Sequence, residues 1–266
     1  MSRIYTYIII LLSLFSLQVA SQVVDSMYLS CTYSVFFISN VKTQKIRDDE
    51  TVLEIGKEKS RFYSVWEDSI IRIRTDVFAK GGSLNEASVS TRHIPHSHQY
   101  YDVEKFIAQK RLFYSDKLIT VVYGYEEPLD RPEWKIEAEQ EEIIGYKCQK
   151  ATAGFKGREW TAWFAVDIPI PEGPWKLWGL PGLILKAEDA EKQYTFTCIE
   201  IKQHNPKIPI QKRIEPVVRC THAEWMKLEK DFMKDYNTII FKELGYREPI
   251  PPGKSTRVDN HNPIER

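Results

Sequence analysis

The stretch Gly145-Tyr-Lys-Cys-Gln-Lys-Ala-Thr-Ala-Gly-Phe-Lys-Gly-Arg158 reads as a strand entering a hairpin turn, and Glu159 to Val166 reads as the strand that returns. On the return, Trp160, Ala162, Phe164 and Val166 fall on one face and Trp163 on the other, the period of two that marks a half-buried strand. Asp167-Ile-Pro-Ile-Pro-Glu-Gly-Pro174 cannot be a central strand, because proline brings no donor to a ladder. Trp175 to Leu180 therefore crosses over, and Pro181-Gly-Leu-Ile-Leu-Lys-Ala187 begins a further strand. Gln193 to Lys202 pairs with it across the polar turn Asp189 to Lys192. Strands joined in sequence by short turns predict an antiparallel meander.

Outward from this block the same signal recurs. Tyr28 to Ser39, Thr51 to Ile55, Arg61 to Trp66 and Ser69 to Arg74 are β-branched and aromatic runs, separated by polar turns that include Glu67-Asp68. Arg111 to Tyr114 and Leu118 to Tyr123 are further strands, and Glu126 to Pro132 is a turn. Residues 79–111 lack periodicity and predict a long polar loop, carrying at most a short helix near Asp102 to Gln109. Glu137, Glu139 and Glu141 alternate as the solvated face of a strand does, a reading preferred to paired catalytic carboxylates. One helix is clear. Thr221 and Glu224 form a capping box, Trp225, Leu228, Phe232, Tyr236 and Ile239 follow at helical spacing, and Gly245 stops it. Residues 247–266 carry four prolines and predict an extended tail. The expected fold is α+β: a large curved antiparallel β-sheet, half-barrel-like, with one long C-terminal helix packed against it. A closed barrel or a two-sheet sandwich is the alternative.

Composition narrows the function. Lys+Arg and Asp+Glu both count 37 in 266 residues, so the chain lacks the basic excess that nucleic-acid binding requires. With 42% hydrophobic and 28% charged residues it is globular and not disordered. Arg3, the apolar run Ile4 to Leu17 and the small residues of Val19-Ala20-Ser21 predict a secretory signal peptide over residues 1–21. That apolar run is short of the roughly 20 residues needed to span a bilayer. The expected organisation is a signal peptide (1–21), a single β-rich domain (22–246) and the tail (247–266), in a soluble mature chain with no membrane span. Export makes the periplasm, or else the cell surface, the expected location. Cys31, Cys148, Cys198 and Cys220 allow three disulfide connectivities in an oxidising compartment. Cys148 and Cys198 also fit buried free thiols inside strands, and spacing selects neither outcome.

Gly179-Leu-Pro-Gly-Leu-Ile184, together with Tyr146-Lys-Cys148, Gly157-Arg158, Trp160, Ala162-Trp163, Asp167-Ile-Pro169 and Gly173-Pro-Trp-Lys-Leu177, resembles the GLPGLI family of exported bacterial proteins. Asn262-Pro-Ile-Glu265 is similar to that family's usual ending. The resemblance covers about a third of the chain closely and implies an exported protein of a Gram-negative bacterium. Since the family has no known activity, it brings no catalytic residues.

Two sets of residues are candidates for a site. Four of the seven tryptophans, Trp160, Trp163, Trp175 and Trp178, surround Gly179, Leu180, Pro181 and Gly182. They line a groove for an apolar or peptide-like ligand, or they cap the hydrophobic core. Arg158 is either the ion-pair or stacking partner of that cluster or an exposed hairpin arginine. His93, His96 and His98 are close enough in sequence to suggest a metal site. No nucleophile elbow, metalloprotease helix or phosphate loop is present, and no cofactor is expected. The expected function is a non-catalytic binding or carrier module, with an interaction or scaffold protein of a cell-envelope complex and a metal-binding protein as alternatives. The partner is then a small apolar ligand or an envelope protein.

Overall fold

The computed structural model of the chain describes residues 25–234 and 262–266. The alternation is most regular in β1 (Ser26–Asn40), where Leu29, Cys31, Tyr33, Val35 and Phe37 are buried and the residues between them are not. A period of two puts one face of a strand on the core and leaves the other toward water. β1 sits near the middle of the sheet, antiparallel to β2 (Lys45–Ile55) on one side and to β11 (Tyr194–Pro209) on the other. Beyond β2 come β3 (Ser60–Ser64), β4 (Asp102–Phe106), β5 (Arg111–Leu118), β6 (Val121–Pro128) and the short β12 (Val217–Arg219). Beyond β11 come β10 (Leu183–Asp189), β9 (Arg158–Ala165), β8 (Tyr146–Phe155) and β7 (Lys135–Ile143). Only β12 lies parallel to its neighbour. Among the described residues the sheet has 12 strands and two edges, β12 and β7, and it is open and not a closed barrel.

The sheet curves. Phe62 on β3 and Phe196 on β11 are three strand positions apart, about 14 Å in a flat sheet, yet their ring centroids lie 6.0 Å apart. The concave face carries a seam of such contacts. It runs from Trp175 to Trp160 (5.7 Å), to Phe196 (6.2 Å), to Phe62, to Tyr101 (6.3 Å), to Tyr114 (6.0 Å) and to Trp225 (6.0 Å).

Three helices are described, where the sequence reading expected one. α1 (Val65–Ala79) replaces the predicted strand over Ser69 to Arg74 and the predicted turn at Glu67-Asp68. Ser64 caps it, its hydroxyl accepting from the Glu67 N–H at 3.2 Å, and Glu67 and Asp68 favour the positive end of the helix dipole. α2 (Leu84–Thr91) lies in the stretch expected to be loop and starts on a capping box between Ser83 and Glu86. The short helix expected near Asp102 is instead β4 followed by a single 3₁₀ turn (Ile107–Gln109). α3 (His222–Lys234) begins at the expected capping box, with the Glu224 N–H donating to Thr221 Oγ1 at 3.2 Å and Thr221 N–H to Glu224 Oε2 at 2.7 Å. Trp225 and Phe232 are buried, but Leu228 is 36% exposed, so the apolar stripe is narrower than its spacing suggests.

The expected extension of α3 through Tyr236 and Ile239 to Gly245, the signal peptide and tail residues 247–261 lie outside the described residues. Residues 262–266 are not a free tail, because they dock on the body of the protein. Among the described residues no helix is long and apolar enough to cross a membrane. All four cysteines are free thiols, with Cys31, Cys148 and Cys198 buried.

Candidate functional site

The glycines and prolines of residues 167–182 fold that segment back over the concave face. Gly182 has no room for a side chain, since a Cβ there would clash with the Ala165 carbonyl. Gly179 sits in the bend, its N–H donating to the Pro171 carbonyl at 3.0 Å, and Leu180 is buried while Pro181 faces solvent. The turn delivers Trp175 into the core. That residue has φ of 51°, a conformation costly for a bulky side chain. Two features hold it there. Its indole is fully buried against Trp160 and Phe155, and the buried Lys105 ammonium clamps the backbone on both sides. Lys105 donates to the Gly173 carbonyl at 2.8 Å and to the Leu177 carbonyl at 3.3 Å, and it pairs with Glu172 at 2.6 Å.

The groove expected at the tryptophans is thus filled by protein. Trp160 and Trp175 are core, Trp163 and Trp178 are half-buried, and Trp178 donates its indole N–H to the Asp130 carbonyl. None of the nine residues from Arg158 to Gly182 singled out in the sequence lines the large cavity described below.

Arg158 is not an exposed hairpin residue. Its side chain is 1% exposed, pairs with Asp189 at 2.7 Å and stacks on Tyr194 with its guanidinium carbon 4.7 Å from the ring centroid. Its Nε donates to the Ile264 carbonyl at 2.8 Å, and its Nη2 donates to the Pro263 carbonyl at 2.6 Å and to Asn262 Oδ1 at 2.7 Å. Close by, Lys176 pairs with Glu127 and with Glu265, both at 2.6 Å.

Glu127, His222 and Glu265 also bring three potential metal-ligand atoms within 4.8 Å of one another. Those carboxylates are already matched by two ammonium groups, since Lys156 pairs with Glu127 at 2.9 Å and with Glu265 at 3.4 Å. A cation would have to displace both lysines, so the donor set does not fit a metal.

Of the three histidines singled out in the sequence, the structure brings His96 and His98 together. His93 is exposed, and His96 and His98 meet edge to face at 4.9 Å. His98 Nε2 accepts from Arg47 Nη1 at 3.1 Å, which uses the lone pair a metal would need. Burial, then the Arg47 charge, pushes the His98 imidazole down to about 4, so it is neutral at pH 7. Among the described residues His93, His96 and His98 belong to no group of potential metal ligands.

Open space lined by the aromatic seam lies at its other end. A cavity of about 460 Å³ lies between the concave face, α1 and α3, walled by Phe37, Tyr101, Tyr114, Tyr194, Trp225 and Phe232. Pro263 and Ile264 of the docked segment complete part of the wall, and Ile70 contributes from α1. Asp116 is a half-buried polar group of its wall. Its carboxylate accepts from the Tyr114 hydroxyl at 2.9 Å and from the Lys117 N–H at 2.7 Å. Burial, helped by the charge of Glu229, pushes that carboxyl up to about 7. Lys117, also in the wall, is engaged by Glu67 at 3.1 Å and Glu215 at 3.0 Å. The arrangement is an aromatic-walled container whose rim and wall also carry Glu67, Arg74, His96, His98, Gln99, Asp116, Lys117 and Glu229, an amphipathic lining suited to small-molecule binding. Of the site residues singled out in the sequence only His96 and His98 line it, because its wall is gathered from β1, α1, residues 96–101, β5 and its turn, β11, α3 and residues 263–264.

Residues 155–186 match the sequence profile of a family described as protein of unknown function (Porph_ging). No curated protein matches the chain. Among solved structures, PNGF-II in its P21 crystal form is similar, with a TM-score of 0.50 at 13% identity, covering 76% of this chain and 33% of that one. The C2 crystal form of PNGF-II gives a TM-score of 0.49 at 13% identity, with 75% and 32% covered. The chain thus spans about a third of the length of PNGF-II, and at this identity the likeness is one of fold alone.

Proposed function

We propose that this protein is an exported, periplasmic binding or carrier module of the GLPGLI kind, which holds a small apolar or peptide-like ligand without transforming it. The observation that carries the reading is the cavity of about 460 Å³ on the concave face, inside the range of about 300–1,000 Å³ typical of ligand pockets. Its aromatic wall supplies apolar contact, and Asp116 and Tyr114 offer an orienting hydrogen bond at its floor. Residues 1–21 support export. The scaffold reading is weaker, because the free edge strand β7 carries Glu137, Glu139, Glu141 and Glu142, charges that discourage pairing with another strand.

Native mass spectrometry of the protein released from its cell envelope tests the proposal. A retained mass that leaves on mild activation is expected. A bare polypeptide mass that also takes up no apolar dye would overturn it.

A further inference from the structure

We propose that residues 262–266 occupy a sequence-specific peptide site, and that this site accepts the same segment from a second copy of the chain. The proposal is independent of what fills the cavity.

Each residue of the segment is read. Asn262 is buried, its Oδ1 accepting from Arg158, its Nδ2 donating to the Ile38 carbonyl at 2.8 Å and its carbonyl accepting from the Tyr194 hydroxyl at 2.6 Å. Pro263 and Ile264 present their carbonyls to Arg158, and the Ile264 side chain is buried. Glu265 meets Lys176, and the Arg266 N–H donates to the Lys156 carbonyl at 3.1 Å. The backbone there passes so close that a Cβ on Gly157, which has φ of 78°, would lie 2.5 Å from the Arg266 carbonyl.

The receiving groups are held by the body and not by the segment. Asp189 grips Arg158 Nη1 while its other oxygen accepts the N–H groups of Gln193 and Tyr194 at 2.7 and 2.8 Å. Lys176 is fixed by Glu127 and by the Tyr125 hydroxyl at 3.0 Å. A site organised before its ligand arrives does not need the covalent link to residue 234 for recognition. Emptied, it would leave the Nε and Nη2 donors of a buried arginine without partners, a state that favours refilling by an identical segment. Exchange of an identical element between copies is a low-cost route to association. The covalent link raises the local concentration of the chain's own segment and so favours it while the link is intact.

The test cuts that link after folding. A site-specific protease sequence is placed within residues 235–261, and the purified chain is cleaved. The fragment bearing 262–266 is expected to co-elute with the body and to be displaced by a labelled Asn-Pro-Ile-Glu-Arg peptide but not by a scrambled one. R158K should weaken that peptide by about tenfold, because lysine cannot make the forked contacts. An uncut R158K chain, with a crippled site and an intact segment, should then form a one-to-one complex with the cleaved body. Loss of the fragment on cutting with no uptake of peptide would overturn the site. A retained fragment that never exchanges would make it a fixed strap and overturn the proposal equally. Peptide exchange without the mixed complex would overturn the claim about a second copy.

Discussion

The two ends of the aromatic seam are built from the same chemistry and end differently. At one end Trp160 and Trp175 pack together as core beneath the folded-back segment 167–182, and neither lines the cavity of about 460 Å³. At the other, Tyr114 and Trp225 face a cavity of about 460 Å³. The difference lies in what covers the concave sheet. A loop pinned by Lys105 and Glu172 covers one side, whereas α1, which buries none of its residues, lies over the other and is tied to it by the Arg61–Asp68 and Lys117–Glu67 pairs. Aromatic residues on a sheet face therefore do not mark a ligand site. The element lying over them decides between core and container.

The largest effect should come from breaking the filled end. Trp160→Ala and Trp175→Ala are each expected to cost about 3–5 kcal/mol, the range for buried aromatics, measured as a shift in the urea midpoint with an unchanged slope. A cost under about 1 kcal/mol would mean that this end is not close-packed. Next comes the clamp. Lys105→Met leaves the Glu172 carboxylate buried beside an apolar side chain and should cost about 3–5 kcal/mol. Adding Glu172→Leu should recover much of that loss, as a double-mutant cycle would show.

The open end should reveal itself through pH. Asp116 has a folded pKa near 7, raised from the ordinary 3.8. Between those values the unfolded chain releases a proton that the folded chain keeps, so stability falls as pH rises, by at most about 1.4 kcal/mol per unit, and levels off above 7. Asp116→Asn should flatten that limb and raise stability at pH 8. An unchanged profile in chemical denaturation would contradict the raised pKa of this half-buried carboxyl. The smallest stability effect belongs to Ile70→Trp, which puts volume into the cavity from α1. A change within about 1.5 kcal/mol is expected, because free space lies ahead of the new ring.

Much of the sheet was legible in the sequence because its strands obey a period of two, as Leu29 to Phe37 and Trp160 to Phe164 do. Ser69 to Arg74 misled because isoleucine favours strands, while the helix is set by a cap upstream. All three described helices follow a Ser/Thr-x-x-Glu string, namely Ser64 to Glu67, Ser83 to Glu86 and Thr221 to Glu224. That signal was in the sequence for each, but only the third was joined to a clear helical stripe. The cavity could not be read, because curvature alone brings Phe37, Tyr114, Tyr194 and Trp225 to one space. Arg158 and Asn262-Pro-Ile-Glu265 were each noticed, but their meeting depends on tertiary folding across more than a hundred residues.

The central claim is that ligand enters the open end and not the tryptophan end. Titration of a neutral apolar dye such as Nile red into the wild type, Ile70→Trp and Trp178→Ala separates the two. The account predicts saturable binding to the wild type, its loss in Ile70→Trp and its retention in Trp178→Ala. Binding that survives Ile70→Trp and fails in Trp178→Ala would contradict it and return the site to the tryptophans.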